Sequence, residues 1–79
     1  MIVLKEIKKS ENGIVCNAFV EDCDVAVRVT YDAKANSFSH GKMPRGYEWC
    51  VTHMEMAKRA IEQMISSGEI KSQKTILWY

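Results

Sequence analysis

The sequence predicts an α+β fold, with an antiparallel sheet of four or five strands and one long helix packed on one face, in the order β-β-β-(β)-α-β. Two observations predict it. Residues 47–67 carry apolar side chains at the i, i+3, i+4 and i+7 spacing of an amphipathic helix. Short segments on both sides of this helix contain β-branched residues in runs or in alternation, bounded by turn residues, which is typical of strands.

The first two strands are expected to form a hairpin. Residues 1–9 are rich in apolar and β-branched side chains at both even and odd positions, which favours a strand in the interior of the sheet. Asn12-Gly13 suits a two-residue type I′ turn, so residues 14–20 are expected to return antiparallel. With that loop Ile7 faces Ala18, whereas a bulged loop shifts the pairing by one residue.

The third strand has the clearest alternation in the chain. It is predicted over residues 24–31 with a buried valine face, and residues 37–39 are expected to pair briefly back onto it. The residues of the buried face are Val25, Val27, Val29 and Tyr31.

The helix is predicted over Tyr47–Ser67, because Gly68 follows where a left-handed residue is favoured. Lys74–Tyr79 is expected to close the chain as a strand that is flanked or covered on both sides, since Ile76 and Leu77 point to opposite faces. The residues of the apolar helix stripe are Tyr47, Cys50, Val51, Met54, Ala57, Ile61, Met64 and Ile65.

The composition indicates one small domain over residues 1–79. A hydrophobic fraction of 47% and a charged fraction of 27% are typical of a folded globular chain. The net charge of +1 provides no large field to attract nucleic acid or anionic lipid. A core of this size leaves a net stability of only about 3–5 kcal/mol, which favours self-association.

The sequence is typical of a cytoplasmic protein. No apolar run reaches the roughly 18–20 residues of a membrane-spanning helix, and the amino-terminal residues lack the pattern of an export signal, so no membrane association is expected. Cys16, Cys23 and Cys50 are an odd number of cysteines at wide spacings, unlike a disulfide framework. Cys16 is expected in the core with the other even-numbered residues of the second strand.

No motif predicts catalysis, a metal or a cofactor. Cys50 and His53 form one C-x-x-H pair, but a structural zinc site normally shows two close ligand pairs, and His40 and Cys23 are distant in the sequence. The carboxylates of residues 21–24 lack the ligand spacing of a calcium loop, and they are expected to form a solvated corner. No nucleophile, base and orienting group can be assembled from the spacing, so we expect a protein that is not an enzyme.

Surplus apolar side chains predict a contact surface. Trp49, His53, Met56 and Ala60 form a second helical stripe that a helix lying on a sheet does not need. This stripe contacts a protein partner or a second copy of the chain, is covered by residues 38–46 or by the carboxyl-terminal aromatic residues, or lines a ligand cleft. The full candidate interface is Trp49, His53, Met56, Ala60, Phe19, Trp78 and Tyr79.

A basic loop supplies an alternative. His40, Lys42 and Arg45 lie in a segment with glycine and proline just before the helix, and Arg28 lies on the predicted third strand. A basic loop at a helix N-terminus is suited to hold a phosphate. Binding of a nucleic acid or a phosphorylated ligand through these four residues is therefore the second hypothesis.

The carboxyl-terminal third of the chain resembles small uncharacterised proteins of Gram-positive bacteria and their mobile elements. The resemblance lies in the ending KTILWY, a form of Thr-Ile-x-Trp-Tyr, preceded by a helix with a C-x-x-H pair. It implies an accessory or phage-borne protein and assigns no active residues. With the observations above, it leads us to expect a small binding or inhibitor module that acts through protein contacts and forms a homo-oligomer.

Overall fold

A computed structural model describes residues 1–78 of the 79-residue chain. Over these residues the strands form one antiparallel sheet in the order β4-β3-β2-β1-β5, and the helix packs on one face of it. The elements are β1 (Ile2–Lys9), β2 (Gly13–Val20), β3 (Val27–Asp32), β4 (Ser37–His40), α1 (Val51–Ser67) and β5 (Lys74–Ile76). This arrangement confirms the predicted fold class. Within the described residues no helix has the length and apolar content needed to cross a bilayer.

The core lies between α1 and the inward face of the sheet. The even-numbered residues of β2 are fully buried, Cys16 among them, which confirms the predicted inward face of this strand. They pack with residues of β1, β3 and α1 that are also shielded from solvent. The members with no solvent exposure are Ile2, Leu4, Ile14, Cys16, Ala18, Val20, Val29, Ala57 and Ile61.

The hairpin between β1 and β2 has a longer loop than predicted. Lys9 pairs with Ile14, and the loop of residues 10–13 is closed by the Ser10 N–H, which donates to the Gly13 carbonyl at 2.9 Å. The expected two-residue loop, and with it the pairing of Ile7 with Ala18, is wrong. The Asn12-Gly13 pair correctly predicted where the chain turns, whereas the hydrogen bonds between β1 and β2 determine the pairing register.

A β-bulge explains why β1 has apolar residues at both even and odd positions. The register shifts between Lys5 and Lys8, and Glu6 adopts a positive φ of 52°. The extra residue reverses the alternation, so that Ile2 and Leu4 before the bulge and Ile7 after it are all buried. The predicted interior position of β1 is confirmed, because it lies between β2 and β5.

Two strands are shorter than predicted. β3 begins at Val27, and Val25 is 54% exposed because the chain is still turning after the corner that follows Val20. β5 ends at Ile76 and, within residues 1–78, pairs with β1 alone, while Leu77 is 64% exposed. The prediction that the last strand is flanked or covered on both sides is therefore wrong. The predicted pairing of β4 with β3 is confirmed.

The helix ends where it was predicted to end but begins four residues later. Gly68 has a φ of 76°, and its N–H donates to the Met64 carbonyl at 3.0 Å. At the other end Cys50 occupies the N-cap without a capping side-chain bond, and the residues before it form turns. Val51 is consequently 68% exposed and does not belong to the core, contrary to the prediction.

Candidate functional site

His53 joins the first turn of the helix to the sheet. Its side chain is buried, with 5% exposure, and its Nε2 lies 2.7 Å from Oε2 of Glu21, the residue after β2. Since a carboxylate can only accept a hydrogen bond, Nε2 carries the hydrogen and donates it. The Nδ1 atom has no hydrogen-bond partner among residues 1–78. His53 is therefore a structural contact between helix and sheet as well as a predicted site residue.

Two indole rings meet the imidazole ring of His53. The ring centroid of Trp49 lies 5.4 Å away at an interplanar angle of 86°, and that of Trp78 lies 4.8 Å away at 82°. Such T-shaped contacts stabilise a fold by about 0.5–1.5 kcal/mol each beyond the area that they bury. Trp49, His53 and Trp78 are named the aromatic cluster below. The structure thus brings together Trp49 and His53, which were predicted from the second helical stripe, and Trp78, which was predicted from the aromatic chain end.

Glu21 was not predicted as part of this site. Its Oε2 accepts hydrogen bonds from His53 and from the amino-terminal amine of Met1, the latter at 2.5 Å, and its backbone has a positive φ of 51°. The only sequence signal was the acidic stretch 21–24, which was interpreted as a solvated corner. The contact with His53 spans 32 residues of sequence, so no local pattern points to it.

The loop before the helix is tied to the same corner. The Tyr47 hydroxyl donates to Oδ1 of Asp22 at 2.8 Å. That hydrogen bond, together with burial and the negative charge of Asp22, raises the pKa of Tyr47 to about 12. The hydrogen bond helps to fix the chain segment that carries Trp49.

The aromatic cluster is open to solvent on one side. Trp49 is 64% exposed, although its Nε1 donates to the Gly46 carbonyl at 2.9 Å. Met56, one turn beyond His53, is half-buried, whereas Ala60 is 7% exposed and belongs to the core. The interpretation in which another part of the chain covers the second stripe therefore holds at His53. The carboxyl-terminal segment covers His53 through Trp78, and Trp49 and Met56 remain at the surface.

Phe19 lies away from this cluster, on the opposite face of the sheet. It is half-buried, and the Nζ atom of Lys5 lies 5.3 Å from its ring centroid. On the same face Asn17 donates to Oε2 of Glu6 at 2.7 Å and accepts a hydrogen bond of 3.4 Å from Arg28. Tyr79, the last predicted interface residue, lies outside the described residues.

The four residues of the basic alternative do not form one group. Arg28 points to the open face of the sheet, whereas His40 pairs with Val29 and shares the face on which the helix lies. His40 there lines a depression of about 230 Å³ together with Phe38, Met43, Met54 and other residues at the start of the helix. Lys42 and Arg45 are exposed in the intervening loop.

The Cys16 and Cys50 thiols are buried. Burial raises the pKa of the Cys16 thiol to about 11, and burial together with the negative charge of Glu21 raises the pKa of Cys50. In the described part of the chain, no three His, Cys, Asp or Glu side chains converge as metal ligands.

Comparisons of the chain with protein-family models, with curated proteins and with solved structures found no match.

Proposed function

We propose that the chain is a small non-enzymatic binding or inhibitor module that acts through protein–protein contacts and self-associates. The observation that carries the proposal is the state of Trp49, which is largely exposed yet held in one orientation. A hydrogen bond from its Nε1 to Gly46 and the T-shaped contact with His53 fix the indole. A fixed aromatic ring loses little conformational entropy on binding, and tryptophan is enriched among residues that dominate binding energy.

The neighbourhood of Trp49 supports the same proposal. Leu77, which precedes Trp78 in the chain, is 64% exposed, and Met56 is half-buried on the adjacent helical turn. Single exposed apolar residues are common on protein surfaces, but an exposed indole and a half-buried thioether on one helical stripe form a patch suited to a partner. An accessory protein, as implied by the carboxyl-terminal resemblance, fits this role.

Affinity enrichment tests the proposal. Wild-type chain, Trp49→Ala and the matched control Val25→Ala, which alters an exposed aliphatic residue away from the cluster, are each tagged and incubated with an extract of the source cells. Quantitative mass spectrometry should show bound proteins, which include untagged copies of the chain, that fall about tenfold or more with Trp49→Ala and not with the control. Equal recovery by all three chains, with unchanged circular dichroism spectra, would contradict the proposal.

Nucleic-acid binding remains the second candidate because of the charge on the open sheet face. Lys5, Lys8 and Arg28 lie on this face with the half-buried Phe19, and the carboxylates of Glu6 and Asp32 share it. Lys42 and Arg45 in the adjacent loop would extend the positive surface. Retention of a single-stranded oligonucleotide at about 50 mM salt, lost with Arg28→Ala, would favour this candidate, and no retention would remove it.

A further inference from the structure

We infer that a second copy of this chain docks along the outer edge of β5, with the two β5 strands antiparallel about a twofold axis. The inference rests on the proposed function and names the partner for the same surface. Within residues 1–78, β5 pairs with β1 on one side, and its other side forms an edge of the sheet. A twofold interface requires a surface that complements itself after a rotation of 180°.

The two ends of this edge have opposite shapes. At the Ile76 end the chain continues to Trp78 and the aromatic cluster, where the exposed indole of Trp49 projects. At the Lys74 end the helix and the segment before β5 enclose a depression of about 220 Å³. Its lining residues are Ala60, Gln63, Met64, Ser67, Glu69, Lys71 and Lys74. Antiparallel pairing of two edges places the projecting end of each copy at the depression of the other.

The two ends also have opposite charge. The projecting end adjoins the acidic corner, where the carboxylates of Glu21, Asp22 and Asp24 outnumber the amine of Met1. The Glu21–His53 contact holds this corner to the cluster. At the depression end Lys71 and Lys74 outnumber Glu69 among the lining residues. The rotation that matches the shapes therefore brings an acidic end to a basic end, which favours a second copy.

The area available sets the strength of this contact. A standard interface takes about 800 Å² from each partner, against a total surface of 5092 Å² for this chain. A three-residue edge and one indole from each copy supply less than that, although each buried indole removes about 150–250 Å² from water. We therefore expect a reversible dimer with a Kd of about 1–100 μM.

Sedimentation equilibrium of the full chain from roughly 5 μM to 1 mM measures this association. The wild-type chain should dimerise, and Trp49→Ala should weaken the dimer by at least about 30-fold. Val25→Ala, which changes an aliphatic residue of similar exposure between the acidic corner and β3 and removes no charge, should leave the Kd unchanged.

A mixing experiment tests the reciprocal geometry. Gln63→Arg places a bulky charged side chain on the exposed wall of the depression, where it blocks the partner's indole without altering the core. Trp49→Ala and Gln63→Arg each lose both contacts in their own homodimer, but a mixed dimer keeps one Trp49 and one open depression. The 1:1 mixture should therefore dimerise at least about fivefold more tightly than either variant alone. Thermal unfolding by circular dichroism verifies that both variants are folded.

Two results would overturn the inference. One is a wild-type chain that remains monomeric at 1 mM; the other is a dimer whose mixed variants associate no better than each variant alone. If the chain is monomeric but the enrichment that depends on Trp49 persists, the partner is a different protein, so the protein-binding part of the proposed function stands and its self-association part fails. If both the dimer and that enrichment are absent, the proposed function fails as well.

Discussion

Replacement of His53 by alanine tests whether the aromatic cluster holds the start of the helix on the sheet. The change removes a hydrogen bond to a carboxylate, worth about 1.5–3 kcal/mol, and two T-shaped ring contacts of about 0.5–1.5 kcal/mol each. Glu21 keeps its ion pair with the amine of Met1, so part of this loss is recovered. We expect the free energy of unfolding to fall by about 2–4 kcal/mol and the Tm by roughly 10–25 °C. Because a domain of this size has a net stability of only about 3–5 kcal/mol, much of the variant would be unfolded near 37 °C.

Urea denaturation followed by circular dichroism and by tryptophan fluorescence measures the loss. His53→Leu is the comparison variant: it keeps most of the side-chain volume but removes the same hydrogen bond and both ring contacts, so it should also destabilise the fold, by less than His53→Ala because it leaves a smaller cavity. A double-mutant cycle with Glu21→Gln should give a coupling energy of about 1–2 kcal/mol. The reasoning is refuted if His53→Ala lies within about 0.5 kcal/mol of wild type, or if the coupling is absent.

Burial raises the pKa of the Cys16 thiol to about 11, although the positive charge of Arg28 opposes this shift. Between the ordinary pKa of 9.0 and pH 11 the unfolded chain has therefore released a proton that the folded chain keeps. Stability should therefore fall as the pH rises through this window, by at most about 2.7 kcal/mol, and urea titrations of Cys16→Ala should show a smaller fall. Gly13→Ala would place a Cβ 1.8 Å from the Tyr31 carbonyl oxygen, and thermal melts should show a loss above about 2 kcal/mol. In Gly68→Ala the new Cβ meets no neighbour, but the residue must keep a φ of +76°, so the same melts should show a loss of stability of about 1 kcal/mol. A larger loss for Gly68→Ala than for Gly13→Ala would contradict the structure.

The elements that were predicted correctly are those encoded by local patterns. The 3.6-residue period defined the body of the helix, Gly68 defined its end, and strict alternation defined the buried face of β3 at Val27, Val29 and Tyr31. The helix start was missed because apolar spacing continues back to Tyr47 while Cys50 provides no capping bond. β3 was extended too far for a similar reason, since Val25 continues the alternation but lies outside the strand.

Features that depend on contacts between residues far apart in the sequence could not be predicted from local sequence patterns. The bulge at Glu6 and the edge position of β5 are properties of the assembled sheet, and a single strand read alone contains no sign of them. The candidate site shows the same division. Helical spacing placed Trp49 beside His53, and the apolar chain end pointed to Trp78, but Glu21 emerged only when the corner after β2 was brought to the helix.

The bulge in β1 also determines where this hairpin tolerates a change in length. Removing Glu6 would restore strict alternation and leave Ile2, Leu4 and Ile7 facing the helix, at the cost of the 2.7 Å hydrogen bond from Asn17. A deletion within β2, whose residues alternate regularly along the strand, would instead rotate half of its buried side chains into water. Insertions and deletions in this part of the chain should therefore survive in the first strand and not in the second.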